Sequence, residues 1–322
     1  MVLQRFFNLC LDEVVRNLLS LYQKQVGCSL LVGAEKYGRI GNRLYLGAHL
    51  VAWAKKTGSQ LLFPGFHDCE HFFQATSKDA LCRYPEPLNP LLLSEGFKRM
   101  LQQSIDRISL RVLAKPTSRF QTIDLQPSGP DIARADFPKS LTAKPITFIR
   151  GFIYDNSLPD IAEEIETVRH HFRPKQEYRA GIHEPIQLLR KQSDIVLGVV
   201  IRHGDFKTWR NGEFYFDTSD YVKLMEKAVA YLNPASVGFF IASDDEQPSG
   251  SFDQFTHFFR EGHPIENLGA LSLCDGLLAA NSSFTGWSQY YGSVPTLHIS
   301  RSIKTSELEL VLNQAVSKSK AA

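Results

Sequence analysis

The chain has 322 residues, 43% of them hydrophobic and 22% charged, with a formal charge of only +2. That balance suits a folded protein long enough for two domains, and it excludes a bulk electrostatic case for nucleic acid or an anionic membrane. Any bound anion must be met by a few placed cations.

In chain order, MVLQRFFNLCLDEVVRNLLSLYQKQ interleaves apolar residues with Arg5, Asp12, Glu13 and Arg16. This predicts an amphipathic helix rather than a secretory leader, with a stripe that faces the core or rests peripherally on a membrane. No apolar run reaches the ~18–20 residues of a membrane span. Cys10, Cys28, Cys69, Cys82 and Cys274 are scattered without a CxxC pair. Neither a disulfide framework nor a zinc knuckle is expected, and a reducing, cytoplasmic setting is.

CSLLVG (28–33) predicts a strand. KYGRIGN then turns into a helix, RLYLGAHLVAWAKKTG (43–58), whose Leu44, Leu46, Gly47, Leu50, Val51 and Ala54 recur at helical spacing until Gly58. SQLLFPG (59–65) predicts the next strand, so the unit is a parallel βαβ crossover. Gly38 and Gly41 bracket Arg39 and Ile40 ahead of Asn42, which suits a backbone passing close to a ligand or a plain turn. HDCEH (67–71) spaces two histidines four apart, but no distant third ligand stands out and loop duty is expected. Residues 76–145, with several prolines and serines, predict loops and short helices. PITFIRGFIY (145–154) predicts a strand, and LPDIAEEIETVRHHF (158–172) a helix ended by Pro174.

A boundary near 173–192 gives domains of 1–175 and 176–322, and the alternation restarts beyond it. SDIVLGVVIRHGD (193–205) predicts a strand, TSDYVKLMEKAVAYLN (218–233) a helix capped by Thr218 or Ser219, SVGFFIASDDE (236–246) a strand, and SFDQFTHFFREG (251–262) a helix. ENLGALSLCDGLLAA (266–280) holds a helix and a short strand, NSSFTGWSQYYGSVP (281–295) a loop entering a helix, TLHIS (296–300) a final strand, and residues 306–322 a helical tail. The expected architecture is two α/β layers in tandem, with ligand at the carboxyl ends of the second domain's strands.

Three segments of that edge carry chemistry. Arg202 offers a planar fork suited to phosphate oxygens, Gly204 permits a sharp turn, and Asp205 either assists or merely pairs with Arg202. Asp244 and Asp245 end a strand, where they could accept N–H or O–H donors of a purine or ribose, or only precede a helix. Ser-Asp-Asp is not Asp-x-Asp, so no two-carboxylate metal clip is expected. Ser282, Ser283 and Thr285 open a helix whose first N–H groups suit a phosphate, and one of these hydroxyls serves as cap.

VVIRHGDF resembles the Arg-His-Gly of histidine phosphatases, which would make His203 a nucleophile. Against this, almost two hundred residues precede the motif, Lys207 and Arg210 replace that family's further arginine, and His263 and His298 precede Pro264 and Ile299 rather than an acid.

Taken together, four blocks resemble the fucosyltransferase superfamily of α-1,2- and α-1,6-fucosyltransferases and protein O-fucosyltransferases. They are Gly38-Arg39-Ile40-Gly41-Asn42, Val200 to Asp205 against H-x-R-R-G-D, Ser243-Asp244-Asp245, and Ser282-Ser283-Phe284-Thr285-Gly286-Trp287. The resemblance implies an α/β, GT-B-like fold of two Rossmann-like domains facing a central cleft. It implies metal-independent, inverting transfer of fucose from GDP-fucose to a glycan or protein hydroxyl. By the same carry-over Arg202 holds the diphosphate, with His203 standing where many relatives have a second arginine. Asp244 or Asp245 reads the guanine edge. Ser282, Ser283, Phe284 and Thr285 hold phosphates and base, and Asn42 reaches in from the first domain. Asp205 is the nearest carboxylate in sequence to serve as base. Val200 replaces the histidine that positions the base in relatives. A relative that binds nucleotide or glycan without turnover is the non-enzymatic alternative.

Overall fold

The computed structural model describes residues 2–125, 137–153 and 159–321. The chain divides into two compact α/β units, residues 1–175 and 176–322.

The first unit runs α1 (Val2–Val26), β1 (Leu30–Gly33), α2 (Ile40–Thr57), β2 (Gln60–Leu62), α3 (Glu95–Ala114), β3 (Phe120–Asp124), α4 (Phe137–Leu141), β4 (Ile146–Arg150), α5 (Pro159–Glu163) and α6 (Ile165–His171). Its strands form one parallel sheet in the order β2-β1-β4-β3. Val15 and Leu19 of α1 and Ile105, Ile108 and Val112 of α3 pack onto Leu30, Val32, Ile146 and Phe148. The residues of α2 from Gly41 to Ala54 are buried apart from Asn42, as expected of a helix apolar nearly all round.

The second unit runs α7 (Arg179–Arg190), β5 (Ile195–Ile201), α8 (Thr218–Leu232), β6 (Val237–Ser243), β7 (Thr256–Glu261), α9 (Pro264–Ser272), β8 (Gly276–Ala279), α10 (Ser283–Gly292), β9 (Thr296–His298) and α11 (Thr305–Ser319). Its sheet is also parallel, ordered β7-β6-β5-β8-β9. All seven residues of β5 are buried, the signature of a strand covered on both faces. Its side chains alternate accordingly. Ile195, Leu197, Val199 and Ile201 meet Tyr221, Leu224 and Met225 of α8 and Leu312 of α11. Val196 and Val200 meet Ile186 and Leu189 of α7 and Ala270 and Leu271 of α9. From β5 the chain winds outward to β6 and β7, then restarts on the other side with β8. The topological switch, where open α/β sheets bind ligands, therefore lies between β5 and β8.

Several expectations need correction. Residues 251–262 are not a helix: Thr256–Glu261 is the edge strand β7. The phenylalanines mimic a helical stripe, but Phe258 stacks on Phe240 while its neighbour Phe259 joins Phe252 on the opposite face, a period of two. The stretch 76–145 is less irregular than expected, since it holds the 20-residue α3 and the strand β3. The apolar stripe of α3 is diluted by buried Gln102, Ser104 and Ser109, each committed to a specific hydrogen bond. Asp217, not Thr218 or Ser219, caps α8, in a reciprocal box with Asp220. The helix expected over 158–172 is two helices parted at Glu164. Residues 126–136, Tyr154 and Leu158, included in those expectations, lie outside the described residues. Among the described residues no helix is long and apolar enough to cross a membrane.

A buried charge ties α1 to α3. Asp12, 1% exposed, accepts from Ser104 Oγ at 2.6 Å, Arg107 Nη2 at 2.7 Å and Arg111 Nη2 at 2.7 Å. Burial alone would raise its pKa, but hydrogen bonds from Arg107, Ser104 and Arg111 outweigh that and hold it below the ordinary value. A folded-state pKa below the unfolded one gives stability that is present above about pH 4 and lost as pH falls through the folded value. Asp12→Asn should therefore lower the urea midpoint at pH 7, by about 1–3 kcal/mol equivalent. The difference from wild type should shrink towards pH 3; an unchanged difference would overturn the assignment.

Candidate functional site

The parallel register builds the centre of the site. Ile201 of β5 pairs with Ser243 of β6, so the residues just past each strand, Arg202 and Asp244, emerge side by side. Asp244 Oδ1 accepts the backbone N–H of His203 at 2.8 Å and of Gly204 at 3.3 Å. Its Oδ2 lies 2.9 Å from Arg202 Nε, an ion-pair distance without hydrogen-bond alignment. Arg202 Nη2 donates to Asp205 Oδ1 at 2.7 Å, and its guanidinium lies 5.1 Å from the Phe206 ring centre. Gly204 is needed for close approach, since a Cβ there would sit 2.9 Å from Asp244 Oδ2. Arg202 is thus a mostly buried cation, 14% exposed in its side chain, oriented by two carboxylates and an aromatic face.

His203 turns inward. It is 5% exposed, with Nε2 at 2.9 Å from the Phe216 carbonyl and Nδ1 at 3.3 Å from Gln247 Nε2. A carbonyl can only accept and an amide NH2 can only donate, so Nε2–H donates to the Phe216 carbonyl and Nδ1 faces the Gln247 amide. With both nitrogens engaged, the ring is neither poised to attack phosphorus nor placed as a second cation. Val200 is 2% exposed and lies in the core.

Asp245 accepts from Lys207 Nζ at 2.8 Å. Their hydrogen bond shifts the Lys207 pKa up and the Asp245 pKa down, each keeping the other charged. Beside them opens a pocket of about 590 Å³, lined by His203, Lys207, Tyr215, Asp217, Thr218 and Asp245 among others. Sequence reasoning missed Tyr215 and Lys207 as lining residues. The aromatic run before the helix Thr218–Leu232 was the available signal.

β8 lies against β5 with Ala279 beside Val200, so the segment after β8 leaves the same sheet edge. Ser282 caps α10, its Oγ accepting from Thr285 N at 3.2 Å, while Thr285 Oγ1 donates to the Ala280 carbonyl at 2.7 Å. These two hydroxyls hold the turn. What the segment offers a ligand is the start of α10, at Ser283 and Phe284, with the positive end of its dipole. The structure thus brings Arg202, His203, Asp205, Asp244 and Asp245 into one contact group, with Ser282 to Thr285 on the neighbouring strand's exit.

Asn42 belongs to the first unit, on the opening turn of α2. Gly38 lies against it: φ there is +59°, and a Cβ would come within 2.1 Å of Asn42 Nδ2. In 67–71, Asp68 pairs with Lys36 and Arg43, and Glu70 with Lys98 at 2.6 Å. His67 is buried, and desolvation pulls its pKa below the ordinary value. Among the described residues no cluster of His, Cys, Asp or Glu is arranged to hold a metal.

No protein-family model matches the sequence, and neither does any curated protein. Among solved structures the chain is similar to a mutant of Arabidopsis thaliana FUT1 in complex with GDP, with a TM-score of 0.54 and 13% identity over 86% of this chain and 72% of that one. It is also similar to POFUT1 in complex with GDP-fucose, at TM-score 0.49 and 11% identity over 84% and 97% of the two chains. The fucosyltransferase NodZ from Bradyrhizobium gives a TM-score of 0.47 and 15% identity over 84% and 96%. The first shows the fold, two Rossmann-like units of GT-B type.

Two outcomes are expected. Asp244→Ala frees two backbone N–H groups and one side of Arg202, and should cost about 1–3 kcal/mol in chemical denaturation. The protein should not turn over p-nitrophenyl phosphate. Turnover abolished by His203→Ala would restore the phosphohistidine reading.

Proposed function

We propose that the chain is a metal-independent, inverting glycosyltransferase that takes fucose from GDP-fucose. The observation that carries this reading is Arg202, held at the carboxyl end of the central strand beside the topological switch. FUT1, which shares the fold, was solved with GDP, and this supports a nucleotide diphosphate as the ligand.

Transfer breaks the bond between the anomeric carbon and the diphosphate oxygen, and the electron pair leaves with GDP. The acceptor hydroxyl of a glycan or protein forms the new bond from the opposite face. Charge therefore accumulates on the diphosphate. Arg202 meets it with a planar fork, and the N-terminal N–H groups of α10 meet it with an oriented dipole. Neither needs a metal. Asp244 serves the turn rather than the base, so Asp245 is the strand-end carboxylate left for a base edge or ribose. His203 supports the loop from beneath. Asp205 shares Arg202 and is the nearest carboxylate in sequence to take the acceptor proton.

The test is nucleotide protection followed by turnover. Saturating GDP, at roughly a hundred times its dissociation constant, should add about 2.7 kcal/mol and raise the melting temperature by several degrees without magnesium. UDP should not. Arg202→Ala should weaken GDP roughly 10- to 100-fold, the worth of one charge-assisted hydrogen bond. GDP release from GDP-fucose, and not from GDP-mannose, is the expected specificity. No response to GDP would overturn the donor reading.

A further inference from the structure

Helix α1 uses one face to pack on its own sheet and leaves a second apolar face uncovered. Val15 and Leu19 are buried, with Leu11, Tyr22 and Val26 partly so. Phe7, Val14, Leu18 and Leu21 remain 55%, 54%, 57% and 61% exposed, and Cys10 is exposed with them. At 3.6 residues per turn these five fall within roughly 80° of arc and span about 21 Å of helix. No charged side chain interrupts them.

The spacing of the stripe is its most informative property. From Phe7 to Cys10, Val14, Leu18 and Leu21 the steps are three, four, four and three. The sequence of steps is the same read in either direction, with Val14 at the centre. A stripe of that kind is complementary to an inverted copy of itself, as a two-fold interface requires. We infer that α1 is an antiparallel homodimerisation surface, in which Val14 meets Val14 of a second copy, Phe7 meets Leu21, and Cys10 meets Leu18.

Area and charge agree with that occupant. With Phe6 at its edge, 67% exposed, the pair would bury on the order of 1,000 Å², the size of a concentration-dependent contact rather than an obligate one. An exposed apolar patch of this extent marks an interaction site. A helix lying on anionic lipid carries a basic rim beside its apolar face. Here Arg16 pairs with Glu13 at 3.6 Å and its guanidinium lies 5.2 Å from the Phe120 ring centre, turned towards its own sheet, which leaves exposed Lys24 of the last turn as a single basic residue beside the stripe rather than a rim. Protein of the same kind fits the stripe better than a membrane does.

The experiment uses the full chain in light scattering and sedimentation velocity at 1–100 μM. A concentration-dependent dimer is expected. Val14→Glu with Leu18→Glu should convert it to monomer with the melting temperature retained, since both positions are exposed. Leu18→Cys should form an interchain disulfide with Cys10 under mild oxidation, and adding Cys10→Ser should abolish it. Wild type should not cross-link through Cys10, which would occur only if the helices paired in parallel. A monomer at all concentrations, a dimer that survives the glutamate pair, or Cys10–Cys10 cross-linking in the wild type would overturn the inference. So would a monomer that binds phosphatidylcholine–phosphatidylserine vesicles and loses that binding with the glutamate pair.

Discussion

The alignment of β5 with β6 decides where Arg202 and Asp244 fall. Parallel pairing of Ile201 with Ser243 gives Asp244 no choice of neighbour. Its carboxylate meets the turn that begins with Arg202 and accepts the first two N–H groups the strand no longer uses. An unpaired backbone N–H at a buried strand end is costly, so the carboxylate is first a structural necessity. Because the same carboxylate also lies against the guanidinium, the turn and the orientation of Arg202 are one event. A slip of one residue between the strands would reverse the faces of both and break the turn together with the cation.

That constraint explains why the most conspicuous residue of the turn is inactive in the reading adopted. Asp244 grips the backbone of His203 from one side, and the ring is directed beneath the loop towards the Phe216 carbonyl and Gln247. Arg202 is left facing the sheet edge. Two adjacent residues on an extended exit point to opposite sides, so Arg202 and His203 have different surroundings, and His203 is the one that lines the pocket. Which residue takes which side follows from the core: Ile201 belongs to the α8 face and Val200 to the α7 face.

Much of this was legible in the sequence wherever one physical signal acted alone. The strand Ile195–Ile201 is an uninterrupted apolar run ending in a polar turn, and both the strand and Arg202 follow from it. Ser282 as a helix cap follows from the small polar residues before the helix. The sequence misleads where two periods coincide. Phe252, Phe255, Phe258 and Phe259 satisfy a helical spacing as well as a strand's, and the unpaired edge of β6 settles the matter in favour of the strand. It also misleads where burial is polar. Gln102, Ser104 and Ser109 hide the apolar stripe of α3, and they are buried because Ala34, Asp12 and Arg150, distant in sequence, need hydrogen-bond partners. The partners of Asp244 and His203 are likewise set by register and loop closure, which no local pattern records.

The charge count of the turn carries the last step. Arg202 is shared by Asp205 and Asp244, so this trio is net negative while Lys207 and Asp245 cancel. On the donor reading, a diphosphate arriving at Arg202 would meet a site that is not yet positive. Asp244 cannot leave without releasing two backbone N–H groups, whereas the Asp205 side chain is 48% exposed. On the donor reading, Asp205 is therefore the carboxylate that gives way, and the phosphate oxygen takes its place on the guanidinium. The loop beyond it is built of residues that resist a relaxed backbone: Arg210 and Asn211 hold φ of 46° and 57°, ahead of Gly212 at 74°. Left-handed geometry at two successive non-glycine residues stores energy that a rearrangement can release. On the donor reading, the exchange of one carboxylate for a diphosphate would free the Asp205 carboxylate when the reaction needs a proton acceptor.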